Sequence, residues 1–227
     1  MVKYVDCAGV REMVYISKND IHPAMAEAIS QYYNQPVAVG VDIETTGLDP
    51  RYDRICTIQV SLRYVGTNVI QLDPGAFPKN LINYLTDSNV HKIFHYAMFD
   101  VGFLLYTYKH MLRSVKCTRT AASIVDPTRQ KFFYHGKPSL SLAALVDHYF
   151  QDTLNKKLAV SDWSNPDLTE EQLAYAAKDS YYLTDLYYRL TEEMNDFEYD
   201  MYLAACEWLP YKVYALQSFQ PDHFSRD

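Results

Sequence analysis

The sequence predicts an α/β fold: a mixed β-sheet of about five or six strands flanked by α-helices. Three observations predict it. Short β-branched runs crowd the first half, helical apolar spacing fills the second, and 48% of the 227 residues are hydrophobic, enough for a core. The length suits one large domain.

The elements follow in order. Met13–Ser17 reads as a strand. Ile21–Tyr33 has helical spacing, with Asn19 or Asp20 as its cap. Val37–Ile43 is β-branched and the best strand in the chain. Cys56–Leu62 and Asn68–Leu72 read as two more, joined through Arg63–Thr67, where Gly66 suits a hairpin turn. Leu81–Leu85 is helical, Lys92–Phe94 a short buried strand and Phe99–Tyr108 a helix. Thr118–Ile124, Ser139–Phe150 and Thr169–Met194 all carry helical spacing, and Thr169 with Gln172 three residues later gives a capping box. Thr128–Pro138 is expected to be a mobile loop. Tyr199–Leu216 closes the chain as a helix broken or kinked near Pro210.

Composition narrows the function. The net charge of -7 argues against a general nucleic-acid coat, because such binding scales with the phosphates that Lys and Arg neutralise. Contact with nucleic acid is expected to be short, local or bridged by metal ions. The four cysteines, Cys7, Cys56, Cys117 and Cys206, form no CxxC pair, so they read as reduced, buried thiols and not as a zinc ribbon. No apolar run suits a signal peptide or approaches the roughly 20 residues of a membrane span. The expected location is the cytoplasm.

Three blocks carry chemistry. In Asp42-Ile43-Glu44 the two acids are two apart on a strand and face the same side. Carboxylates that close repel unless a proton or cation lies between them, and hard divalent ions such as Mg²⁺ or Mn²⁺ prefer such oxygen ligands. In His95-Tyr96-Ala97-Met98-Phe99-Asp100 a strand runs into a helix, with the acid near the helix start, where the dipole alone would favour it. In Tyr175-Ala176-Ala177-Lys178-Asp179 the tyrosine and the acid are four apart on one helix face. Each block alone also suits plain structure: a solvated strand end, a stabilised helix start, a packed tyrosine.

Taken together, the blocks resemble the three motifs of the DEDD exonucleases in their tyrosine subclass. DIETTGL matches the first, HYAMFD the second and YAAKD the third; Ser161-Asp162-Trp163-Ser164 and the following LTEEQL are similar to the segment before motif three in the ribonuclease D family. The resemblance covers roughly residues 37–190. It implies a ribonuclease H-like sheet of the DnaQ exonuclease type, with an exonuclease domain over 1–196 and a helical tail over 197–227. It also implies a two-metal 3′–5′ exonuclease using Mg²⁺ or Mn²⁺. On this reading Asp42 bridges both ions, Glu44 and Asp179 complete the first site, Asp100 holds the second, and Tyr175 orients the attacking water. Thr45, Thr46, Gly47, Leu48 and His95 contact the terminal nucleotide.

Some positions depart from the pattern. Pro166-Asp167 stands where the family commonly has Arg-Pro, Ala159 replaces a frequent Gln, and Tyr96 a frequent Asn. None is an expected metal ligand. The compact length and the aromatic after His95 are similar to the nano-RNase type, which acts on very short RNA and assembles into rings. RNA is therefore the favoured substrate and a homo-oligomer the expected assembly, with DNA trimming, a degenerate binding module and a small-molecule phosphatase as the rival readings. The tail offers Tyr202, Leu203, Cys206, Leu209 and Val213 near helical spacing, with Trp208 and Tyr211 beside them, and suits either a closing helix packed on its own domain or a subunit contact.

Overall fold

The computed structural model describes residues 2–7, 9–31, 35–154 and 156–218. β1 (Val2–Cys7) and β2 (Val10–Lys18) form an antiparallel hairpin and α1 (Pro23–Ser30) follows. The central strand β3 (Val37–Thr45) leads to the hairpin of β4 (Ile55–Leu62) and β5 (Gly66–Gln71). Next come α2 (Lys79–Thr86), β6 (Val90–Phe94), α3 (Met98–Tyr108), β7 (Val115–Cys117) and α4 (Thr118–Val125). A small hairpin, β8 (Phe133–Tyr134) and β9 (Lys137–Pro138), precedes α5 (Leu142–Phe150), and the long helices α6 (Glu170–Glu192) and α7 (Asp196–Ser218) complete the fold.

The main sheet has seven strands in the order β1-β2-β5-β4-β3-β6-β7. It is mixed: β3 runs antiparallel to β4 and parallel to β6. The expected five or six strands become seven because β1 and β7 carry little strand signal of their own. β1 alternates exposed and half-buried residues along an edge, and β7 is three residues long. The mixed α/β architecture is as expected.

Local differences have physical reasons. The helix expected over Ile21–Tyr33 is α1, Pro23–Ser30; Tyr32 and Tyr33 lie outside the described residues. Its cap is His22, whose Nδ1 accepts from the Ala24 amide. Asp20 instead caps α2, accepting from the amides of Asn80 and Leu81. A side-chain cap acts on whichever helix start is near in space, which one sequence window cannot show. The stretch Thr128–Pro138 holds the β8–β9 hairpin, with His135 and Gly136 both at positive φ in its turn. Helix α7 runs through Pro210 as one helix, although proline offers no amide to the preceding turn. The capping box stands: Gln172 N donates to Thr169 Oγ1 and Thr169 N to Gln172 Oε1.

Helix α6 is laid across the sheet. Its small residues Ala176, Ala177 and Ser180 face inward. A Cβ on Gly40 of β3 would lie 2.2 Å from the Ser180 carbonyl oxygen, so only glycine admits the helix this closely. This approach brings the sixth helix to the end of β3. Helix α7 packs on α3, α4 and β7 through Tyr202, Cys206, Leu209 and Val213. No helix among the described residues is long and apolar enough to cross a membrane.

Candidate active site

Strand β3 is buried along most of its length, which fixes which residues face each side. Asp42 and Glu44 share a face with Gly40, the face that α6 covers. Between Glu44 and Thr45 the pairing with β4 slips by one residue. Such an irregularity bends a strand end, and here it turns the chain into the loop that follows. Asp179 reaches the same point from α6. Oxygen atoms of Asp42, Glu44 and Asp179, one from each, lie within 4.8 Å of one another. Asp100, in the first turn of α3 and only 3% exposed, lies near enough for its charge to act on Asp42 and Glu44.

The electrostatics show how crowded the cluster is. Withdrawal from solvent, then the charges of Asp100, Glu44 and Asp179, raises the Asp42 carboxyl well above the usual range. Burial followed by the charges of Asp179 and Asp100 raises Glu44. Asp100 is raised by burial, although backbone hydrogen bonds at Ile43 and at its own amide pull it back. A set of hard oxygen donors that cannot all ionise unaided fits a divalent cation.

Tyr175 lies one helical turn before Asp179. Its hydroxyl hydrogen-bonds Asp179, and burial with the charges of Asp179 and Glu44 keeps the phenol protonated. His95 lies at the end of β6. Thr118 Oγ1 donates to the Phe94 carbonyl at 3.1 Å, so it accepts at its 2.9 Å contact with His95 Nδ1. That assigns the proton to Nδ1.

The loop after β3 is held rigidly. Asp53 accepts from the Asp49 amide and from Thr46 Oγ1, and Thr46 exchanges hydrogen bonds with the Arg54 backbone. A Cβ on Gly47 would meet the Asp53 carboxylate at 2.4 Å. Thr45 Oγ1 donates to the Gly47 carbonyl. Leu48 is left standing out of the loop, 83% exposed.

Two hollows of about 380 Å³ each adjoin the motif-two loop, and Met98 lines both. The first is mostly apolar, walled by Leu48, Phe99, Phe103 and Tyr106 with Val213 from α7. The second is basic and aromatic, with Arg119, Arg129, Lys212, Tyr96 and Trp208. Tyr96 holds a positive φ of 59°, uncommon for a bulky residue, and the Arg119 guanidinium lies 4.8 Å from its ring centre. So the four acids and Tyr175 come together, while Leu48 and Tyr96 stand at the hollows. Sequence reasoning missed the walls. Phe99, Phe103 and Tyr106 lie at helical spacing and could have been found by it. Arg119, Arg129 and Lys212 come from separate segments with no local signal.

Residues 16–195 match the 3′–5′ exonuclease domain family. The chain belongs to that family. Among curated proteins it is 29% identical over 157 residues to ribonuclease D of Gluconacetobacter diazotrophicus, covering 69% of this chain and 38% of that one. It is 30% identical over 172 residues to ribonuclease D of Musicola paradisiaca, covering 74% and 42%. The chain thus spans about two-fifths of the length of these relatives. Among solved structures, Brucella melitensis NrnC superposes with a TM-score of 0.79 at 27% identity, covering 94% of this chain and 96% of that one. NrnC has also been solved bound to pGG and with bound Mg²⁺. Escherichia coli RNase D, at a TM-score of 0.68 and 21% identity, shares the fold. The expected ribonuclease H-like architecture and the exonuclease family therefore stand.

Proposed function

We propose that this chain is a two-metal 3′–5′ exoribonuclease acting on short RNA and releasing nucleoside 5′-monophosphates. The observation that carries the reading is the carboxylate cluster of Asp42, Glu44 and Asp179, closed by Asp100, with the Tyr175 hydroxyl on Asp179. Asp42, Glu44, Asp100 and Asp179 would hold two divalent ions, Mg²⁺ or Mn²⁺. Bound there, such ions supply an activated water and stabilise the leaving oxygen. Tyr175, held protonated beside Asp179, orients that water. Thr45, Thr46, Gly47, Leu48 and His95 bind the terminal nucleotide, its base entering the apolar hollow. Arg119, Arg129 and Lys212 neutralise phosphate further along the strand. Three cations on an acidic chain suit a short substrate, because each additional bound phosphate calls for a further cation.

The test is hydrolysis of end-labelled RNA and DNA of graded length with Mg²⁺ or Mn²⁺. The expected result is stepwise loss from the 3′ end, fastest on RNA of a few nucleotides. Equal rates on long strands would remove the length preference; faster DNA cleavage would move the substrate class.

A homo-oligomer belongs to the same proposal. With the inner stripe of α7 packed on its own domain, Phe197, Met201, Trp208 and Tyr211 are left along the outer side, each more than half exposed. Aromatic residues and methionine placed so favour a subunit contact. Light scattering is expected to give a dimer or larger, and the double substitution Trp208→Glu, Tyr211→Glu to reduce it. A wild-type monomer would end the idea.

A further inference from the structure

Before α6 the chain makes a tight passage through Ser161-Asp162-Trp163-Ser164. Asp162 Oδ1 accepts from the Ser164 amide at 2.9 Å and from Ser164 Oγ at 2.6 Å. Gln172 is already the third residue of the α6 capping box, and its Nε2 also donates to Ser161 Oγ at 3.0 Å and to the Asp162 carbonyl at 3.1 Å. The passage is therefore pinned to the first turn of α6. Trp163 is carried inward, 3% exposed, into a small cluster with Val14, Cys56, Val69 and Leu173. Its ring centre lies 6.0 Å from that of Tyr175, tilted by 39°. Gln172 and Tyr175 are three residues apart on one helix face, so clamp and target lie on the same side of α6.

We infer that Trp163, clamped by Gln172, is a positioning residue that sets the ring of Tyr175 for its role beside Asp179. The inference rests on the proposed water-orienting role of Tyr175. A phenol ring can turn about two side-chain bonds, and only its hydroxyl is tied to Asp179. A rigid indole packed beside the ring restricts that freedom before substrate arrives. The indole N–H has no protein partner among the described residues, so replacing the ring removes packing and no hydrogen bond.

The test is a double-mutant cycle read in kcat and KM on a short RNA with Mg²⁺. Trp163→Leu is expected to lower kcat roughly 10- to 100-fold with KM little changed, as for a small misplacement of a reacting group. In a Tyr175→Phe background the same change is expected to cost nothing further, because the hydroxyl it positions is gone. Trp163→Phe, which keeps a ring there, is expected to restore most of the rate, and Trp163→Met, which keeps apolar bulk without a ring, carries the same cycle should the leucine variant fail to fold. Equal losses from Trp163→Leu with and without the Tyr175 hydroxyl would overturn the inference and leave Trp163 as core. Wild-type kcat in Tyr175→Phe would instead remove the reading of Tyr175, and this inference with it. A second readout is independent of activity. In a Trp208→Phe protein Trp163 is the sole indole, and Tyr175→Ala is expected to shift its emission to the red; an unmoved emission breaks the contact.

Discussion

On one face of the sheet four carboxylates crowd together at the end of β3; on the other, Lys92 of β6 lies fully buried. Lys92 pairs with Val39, an odd number of residues from Asp42, so the pleat sends the two side chains to opposite faces. Both regions bury charge, and burial shifts both away from their ordinary titration. They differ in what compensates them. Lys92 Nζ donates to the Asp87 carbonyl at 2.6 Å, and its pKa falls from 10.5 to about 7, mainly through burial. The acids face one another, and the charges of Asp100 and Asp179 add to the shifts that burial gives Asp42 and Glu44. A buried charge with its own acceptor is compatible with a purely structural part. A buried set of like charges calls for something from outside the chain.

The comparison breaks most visibly at Asp42. Asp42→Asn is expected to lower the rate on the order of 100- to 1,000-fold or more, since on the proposed reading it removes a charged ligand at the reacting centre. Without divalent ions at pH 8 the same variant is expected to melt higher than wild type by about 2–6 °C, because one of four repelling acids is gone. The sign follows from proton binding. The folded pKa values of Asp42, Glu44 and Asp100 are raised, so above the ordinary carboxylate range the fold binds more protons than the unfolded chain and loses stability as pH rises. The gain should therefore shrink at pH 5. A folded Asp42→Asn protein with wild-type activity would sink the metal reading.

Divalent ions sharpen the same contrast. At pH 8, Mg²⁺ or Mn²⁺ at about 100 times its dissociation constant is expected to stabilise wild type by about 2.7 kcal/mol, and chelation to reverse it. Asp42→Asn should show little of this shift. Thermal melts with and without chelator check it; an equal response in both proteins would put the ion elsewhere.

How much of this was legible in the sequence differs between the two regions. Asp42 and Glu44, Tyr175 and Asp179 announce themselves, because strand and helix periods place each pair on one face before any tertiary contact is known. Trp163 belongs to the segment that resembles the run before motif three, but only packing brings it to Tyr175. The strand Lys92–Phe94 was readable as buried, yet that its lysine would be enclosed depends on which face β6 turns to α2. Asp20 has the chemistry of a cap and is one, for α2 far along the chain and not for the adjacent α1. β1 was invisible because an edge strand with one face in solvent has no apolar run to betray it. What sequence shows is local spacing; which elements meet is decided by the register of β3 and the seat that Gly40 gives α6.

The smallest effect is expected at Lys92, and it isolates the structural half of the comparison. Between about pH 7 and 10.5 the unfolded chain carries this proton and the fold does not, so the fold gains stability as pH rises through that window. Lys92→Met keeps most of the apolar stem and removes the titration, at the cost of leaving the Asp87 carbonyl without its donor. The net change near pH 7 is expected to be about 1 kcal/mol of stabilisation, shrinking or reversing by pH 10, where the neutral amine no longer pays for desolvation and its hydrogen bond is missed. Because Lys92 faces away from the carboxylates, kcat should stay within about twofold of wild type. Denaturant melts across pH 6–10 measure the first part and steady-state rates the second. A stability difference that does not change with pH would mean that Lys92 titrates as it does in water. A large loss of rate would mean that the two faces of the sheet are coupled through β3 and β6.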